Sequence, residues 1–288
     1  MIRSGEYYSR FEVQDELSEF CKGRWVAVHQ ADASGNLIFQ RYFKGRPLKI
    51  ENLKEFSKVL NLKGLTIRSV YATANVYNAL DEVEDVYDFS NIKYCTPTWD
   101  IDGTISNWRE TLLFAKEIIR YLNSRGIKES VYIKWSGNGC HVHLHERAVS
   151  TSLLEHHNPL DLAFSIVEYV RLKLFRKFKE LSPKGETVVE NKMDLTRVFT
   201  CPLSLHRKLD VACVCIKPDQ MDEFTPEWLR PESFVHNKAW REFCEGEADE
   251  VAKASYSAIG GYPLYTRKRR YRRTKPLDEL ITTWLNKK

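Results

Sequence analysis

The chain has 288 residues, 43% of them hydrophobic and 29% charged, with a formal net charge of +5. That supplies a core for one large domain or two small ones and excludes a largely disordered chain. The longest apolar runs fall far short of a membrane span, the charged start MIRSGEYYSRFE does not read as a signal peptide, and seven cysteines without a Cys-x-x-Cys pair suit reduced thiols better than a disulfide framework or zinc ribbon, so a cytoplasmic protein with no membrane partner is expected.

In chain order, residues 24–30 (RWVAVHQ) and 36–43 (NLIFQRYF) read as a hairpin around the polar turn ADASG. Residues 53–61 read as a helix, and 68–77 (RSVYATANVY) alternate as a strand. A strand ending over 99–102 leads to a well-specified helix. Asn107 is its expected N-cap, with Glu110 three residues on. Trp108, Leu112, Ala115, Ile119 and Leu122 make one apolar face, and Arg125-Gly126 closes it. Strands over 130–135 and 140–145 flank a tight Gly-containing turn. A long helix is expected over 158–180, then strands near 194–200 and 211–216. Hairpins mixed with helices give an α+β fold class with mostly antiparallel sheets.

Residues 245–253 (EGEADEVAK) are acidic and read as a linker. Beyond it, Arg267, Lys268, Arg269, Arg270, Arg272, Arg273 and Lys275 form one basic run, and the formal +5 becomes −2 once those seven are set aside. Such a run points to a polyanionic partner or to a solvated tail. Leu277, Leu280, Ile281, Trp284 and Leu285 then lie on one stripe of a short amphipathic helix.

Three features carry chemistry. In an extended strand Asp100 and Asp102 share a face while Ile101 turns to the core. Two adjacent carboxylates repel, and a divalent cation removes that cost; a pair of solvated loop acids is the plainer reading. Ser136-Gly137-Asn138-Gly139-Cys140-His141 follows between two strands. Its glycines let backbone N–H groups converge on an anion, with the serine hydroxyl and an imidazole as further donors. An ordinary hairpin turn explains the glycines equally well, and His141, His143 and His145 on one strand face also fit a zinc site. Third, Asp194 and Arg197 precede Ser204 and His206, a set suited to a metal-bound phosphate or to a plain strand and turn.

The order Asp-x-Asp, Ser-Gly-x-Gly-x-His, then Asp before Ser-x-His resembles the three signature motifs of the archaeo-eukaryotic primase superfamily. The segment 69–77 (SVYATANVY) resembles the strand before Asp-x-Asp in primase small subunits, and 202–208 (PLSLHRK) is similar to their third motif. Phe224-Thr225-Pro226 is a further likeness, and 37–42 (LIFQRY) is similar to the segment that supplies a nucleotide-contacting arginine, here Arg41. The likeness runs over about 25–235.

The resemblance implies a primase-like catalytic core with an RRM-like unit over 1–245, followed over 246–288 by the linker, basic segment and amphipathic helix. It implies a template-dependent nucleotidyltransferase, a DNA primase or primase-polymerase. Asp100, Asp102 and Asp194 would be catalytic and hold two Mg2+ or Mn2+ ions. Ser136, Gly137, Asn138, Gly139, His141, Arg197, Ser204, His206 and Arg41 would bind a nucleoside triphosphate. Arg267, Lys268, Arg269, Arg270, Arg272 and Arg273 would hold a single-stranded template, and a primase large subunit or another replication protein is a further candidate partner. A metal-dependent nuclease or phosphohydrolase, and a non-catalytic RRM-like nucleic-acid-binding module, are the alternatives. The second motif is one residue shorter than in small subunits, Thr200 replaces an expected lysine, and no cysteine-rich module separates the second and third motifs. The shorter turn is closer to that of stand-alone or mobile-element primase-polymerases, and the three departures together count against a cellular replicative small subunit.

Overall fold

Residues 24–31 and 66–77 are apolar or β-branched along most of their length and buried on both faces, so each must lie inside a sheet. A computed structural model, which describes residues 4–32, 34–60 and 66–263, shows how. The basic run 267–275 and the expected helix over 277–285 lie outside the described residues.

The elements are α1 (Ser4–Tyr8), α2 (Phe11–Cys21), β1 (Arg24–Ala31), β2 (Leu37–Gln40), β3 (Tyr42–Phe43), β4 (Arg46–Pro47), α3 (Leu53–Leu60), β5 (Thr66–Tyr77), β6 (Ile92–Cys95), β7 (Thr98–Asp102), α4 (Trp108–Ser124), β8 (Val131–Trp135), β9 (Cys140–Leu144), α5 (Thr151–Leu154), α6 (Pro159–Lys173), α7 (Phe175–Leu181), β10 (Val188–Asn191), β11 (Val198–Thr200), β12 (Val214–Ile216) and α8 (Asp249–Ile259). One sheet runs β11-β5-β1-β2, with β6 also on β5; the second runs β10-β7-β9-β8-β12. Every pairing in both is antiparallel. In chain order the second sheet is β7, α4, β8, β9, α6, β10, a β-α-β-β-α-β unit with β12 added at its edge.

The larger core lies between the second sheet and helices α4, α6 and α8, around Trp99, Phe114, Ile118, Trp135, Ile166 and Val167. A second core packs α1, α2 and α3 on the first sheet through Tyr7, Tyr8, Leu17, Val26 and Phe56. Between the sheets Arg24 is buried. Its guanidinium donates to Thr73 and Ala74 carbonyls at 2.9 and 3.0 Å and to Glu146 Oε1 at 2.8 Å, while Thr96 Oγ1 donates to Glu146 Oε2 at 2.8 Å.

Several elements differ from the sequence expectation. Helix α4 begins after Asn107, but the Asn107 side chain accepts nothing from the backbone. Its amide donates to Glu110 Oε2 at 2.8 Å, and Thr104 caps the preceding turn instead. The helix expected over 158–180 breaks at Leu174, and Phe178 on α7 turns inward to stack on Phe114 at 5.1 Å. Residues 245–253 are not a linker. Asp249–Ile259 is a helix packed on α6, with Ala248, Val251 and Ala252 in the core. The acids there are put to use: Glu247 accepts from the backbone N–H groups of 128–130, and Asp249 caps Ser150. The boundary expected at 245/246 therefore falls inside packed structure.

Candidate functional site

The two sheets meet at an open cleft of about 340 Å³ lined by Asp100, Asp102, Ser136, His141, Arg197, Phe199 and His206, among others. Asp100 and Asp102 end β7 on one face, with Ile101 fully buried behind them. Asp100 faces Glu190 across the β7–β10 ladder and His141 across the β7–β9 ladder. Lys192, one residue beyond β10, places its Nζ 2.8 Å from Asp100, 2.6 Å from Asp102 and 2.8 Å from Glu190. Burial alone would push the Asp100 carboxyl up, but the imidazole of His141 and the ammonium of Lys192 outweigh it and hold it well below the usual carboxylate range. Burial opposes the charge on Lys192 too, and the three carboxylates reverse that and raise its pKa.

The turn between β8 and β9 closes over the end of β7. A Cβ on Gly139 would collide with the Ile101 carbonyl oxygen, so only glycine lets this turn lie against the acidic strand end. Gly137, at φ 135°, sits where a Cβ would come within 2.8 Å of the His206 ring. Gly139→Ala is expected to destabilise the protein by about 1–3 kcal/mol, the usual cost of overpacking. A thermal melt checks this, and an unshifted Tm means that the turn does not clamp β7.

His206 lines the cleft. Its Nδ1 accepts from the backbone N–H of Lys208 at 3.2 Å and of Leu209 at 2.8 Å, so Nε2 carries the hydrogen. Burial, with Arg207, Arg68 and Lys208 nearby, pushes its pKa down to about 4. Around neutral pH His206 is thus a fixed, uncharged donor. His141 has its Nε2 3.2 Å from Asp100 Oδ1 and its Nδ1 buried with no hydrogen-bond partner, so it braces the acid as well as lining the cleft. Arg197 lies 3.7 Å from Asp100 and borders both this cleft and an adjoining one of about 390 Å³.

The remaining expected residues are placed differently. Asp194 lies in the adjoining cleft, where its Oδ1 accepts from Thr196 N at 2.7 Å and Thr196 Oγ1 at 3.2 Å. The acid that faces Asp100 is Glu190. Among the described residues no three His, Cys, Asp or Glu side chains are gathered as metal ligands; Asp100, Asp102 and Glu190 converge on the lysine instead. Ser204 is fully buried: it accepts from Val70 N at 2.7 Å and donates to the Leu205 carbonyl at 3.1 Å. The chain is not a regular strand there: Leu203 takes φ 56° and only Leu205 makes an isolated bridge, to Ala212, so Ser204 is buried while His206 lines the cleft. Arg41 stacks 3.4 Å above the Trp25 ring and donates to the Thr196 carbonyl at 2.9 Å, supporting the turn that carries Asp194. Asn138 is exposed at the tip of its turn.

The histidine face divides. His143 is buried, stacked on Tyr132 and bonded to Thr98 Oγ1 at 2.8 Å, while His145 stacks on Phe243 and accepts from Arg147 N at 3.0 Å. The three rings make separate contacts, and among the described residues they are not gathered into a group that could hold zinc. The cleft also holds residues that the motifs do not mark. Arg207 lies beside His206, and Phe39, His29 and Tyr71 form an aromatic wall in which the His29 and Tyr71 side chains hydrogen-bond at 3.1 Å.

The chain matches no family model and no curated protein sequence. Among solved structures it is similar to the polymerase domain from Mycobacterium tuberculosis ligase D in complex with DNA. The TM-score is 0.55 at 12% identity, over 90% of this chain and 88% of that chain. At that identity the likeness is one of fold: a mixed α/β body with antiparallel sheets, shared with a polymerase domain. Among the described residues no helix is long and apolar enough to cross a membrane.

Proposed function

We propose that the chain is a template-dependent nucleotidyltransferase of the primase-polymerase type, joining nucleotides with release of pyrophosphate. The observation that carries this is one cleft with acids at one end and neutral or cationic donors beside them. Asp100 and Asp102 line it together with Ser136, His206, Arg197 and Arg207, and Glu190, opposite Asp100 in the β7–β10 ladder, joins the two acids around the Lys192 ammonium. The polymerase domain that shares the fold was captured on DNA, which supports nucleic acid as partner here. The β-α-β-β-α-β order of the second sheet supports reading it as the RRM-like unit of a primase core.

Asp100, Asp102 and Glu190 would hold the divalent ions, with Glu190 in the place that the motifs assign to Asp194. An all-oxygen donor set fits magnesium or manganese and not zinc. When bound, such ions activate the attacking 3′-hydroxyl and neutralise charge on the departing pyrophosphate. The chain's own residues do the rest. The His206 Nε2–H donates to a phosphate oxygen without taking up a proton, and the Ser136–Gly139 turn holds the phosphates against β7. Arg197 and Arg207 add charge-assisted donors, and His141 keeps Asp100 oriented. The wall of Phe39, His29 and Tyr71 offers a base a surface on which to stack.

The test is a primed single-stranded DNA template with labelled nucleotides and manganese or magnesium. Extension of the primer, abolished by chelation, is the expected result. Shortening of the DNA instead assigns the acids to a nuclease, and retention of DNA without either reaction leaves a binding module.

A further inference from the structure

The residue at the centre of the acid cluster is Lys192, and nothing in the motifs accounts for it. Three carboxylates brought together at two strand ends repel one another, and like charges directly opposite in a ladder, as Glu190 and Asp100 are, destabilise it. The chain answers with an ammonium within 2.8 Å of all three. A divalent ion answers the same charge from the same oxygens, so the two cations compete.

We propose that Lys192 is the built-in counter-ion of this cluster and exchanges with the divalent ions, moving into the adjoining cleft when they bind. The inference rests on the proposed metal site and adds to it. Lys192 lies just past the end of β10, so no ladder partner fixes its backbone, and its four-carbon stem carries a compact charge able to swing. It already borders the adjoining cleft, with Asp194 and Arg197 on the same walls. There Asp194 offers a carboxylate to a displaced ammonium, which gives that residue a part other than metal ligation. A nucleic-acid backbone lying in that cleft would offer phosphates in the same way. Metal entry and strand entry are then coupled: a polyanion that draws Lys192 away frees the acids for the ions.

The experiment is manganese binding, followed by the spin-resonance signal of free Mn2+, for the wild type, Lys192→Met, Lys192→Arg and Asp100→Asn. Removing a competing charge-assisted contact should tighten Mn2+ binding by about tenfold or more in Lys192→Met. Lys192→Arg keeps the cation and should stay near the wild-type affinity. In thermal melts without metal, Lys192→Met should melt below the wild type and regain the difference as Mn2+ is added. Equal or weaker Mn2+ binding by a folded Lys192→Met overturns the exchange while leaving the metal site standing. If Asp100→Asn binds Mn2+ as the wild type does, or no protein binds it, the metal site itself fails and the exchange with it. Should Lys192→Met not fold, a Lys192→Arg variant that binds Mn2+ tightly is the overturning result, since a retained cation must still compete.

Discussion

Asp100→Asn is expected to lower nucleotide incorporation by at least about a hundredfold, the scale set by removing one group that stabilises transition-state charge. The substitution keeps the shape of the side chain and one acceptor oxygen but removes the negative charge on which Lys192, His141 and Arg197 converge. The fold should survive. Lys192 retains Asp102 and Glu190, so the stability cost should stay well below the ~3–5 kcal/mol of breaking a buried pair. Asp102→Asn should lose activity on a similar scale with little change in Tm, because its side chain is 60% exposed. Steady-state incorporation together with a thermal melt separates the effects. Near wild-type incorporation by either variant ends the assignment of these acids.

Glu146→Gln is expected to be the most destabilising of these changes, by about 3–5 kcal/mol, because it leaves the buried Arg24 charge without a counter-ion between the two sheets. That is a large share of the ~5–15 kcal/mol stability of a typical domain. Urea titration should show a lower midpoint with an unchanged slope. A double variant, Arg24→Met with Glu146→Met, should recover part of the loss, since no charge is then left unpaired. The pair also sets an acid limit. Burial raises the Glu146 carboxyl, but Arg24, with His145 and Thr96, outweighs it and brings the pKa to about 2. A depressed folded pKa means the pair's contribution is fully present above the ordinary carboxylate range and is lost as pH falls towards about 2. The wild type should therefore lose stability over that acid window, and Glu146→Gln should lose less.

What could be read from the sequence follows from what periodicity records. Helix α4 was legible because Leu112, Ala115, Ile119 and Leu122 repeat on one face and Gly126 stops it. Strand β5 was legible because residues 68–77 alternate, although its pairing with a neighbour on each side was not. Helix α8 was hidden because its acids dominate the local composition, while its buried side is built of alanine, valine and serine. Helix α2 carries Val13, Leu17, Phe20 and Cys21 at helical spacing, but it also buries Glu16. That burial depends on His236, Trp240 and Arg241, more than two hundred residues away.

At the site, Asp-x-Asp and the glycine turn were legible because each is local. Which acid lies across the ladder from Asp100 was not. Asp194 and Glu190 both precede Arg197, and only the β7–β10 register shows that Glu190 faces Asp100. The alternation in 188–191 (VVEN), with Val189 buried and Glu190 exposed, was the available signal. That Ser204 is buried, bonded to Val70 N, was not legible because it depends on a contact with β5 more than a hundred residues away.

The central claim is that this cleft adds nucleotides under the direction of a template, and the identity of the nucleotide added tests it most directly. Four primed DNA templates differing only in the first unpaired base are each offered single nucleotides with manganese. The account predicts that each template directs addition of its complement, and that Asp100→Asn adds none. The same nucleotide added on all four templates, or addition to a primer without any template, would contradict it.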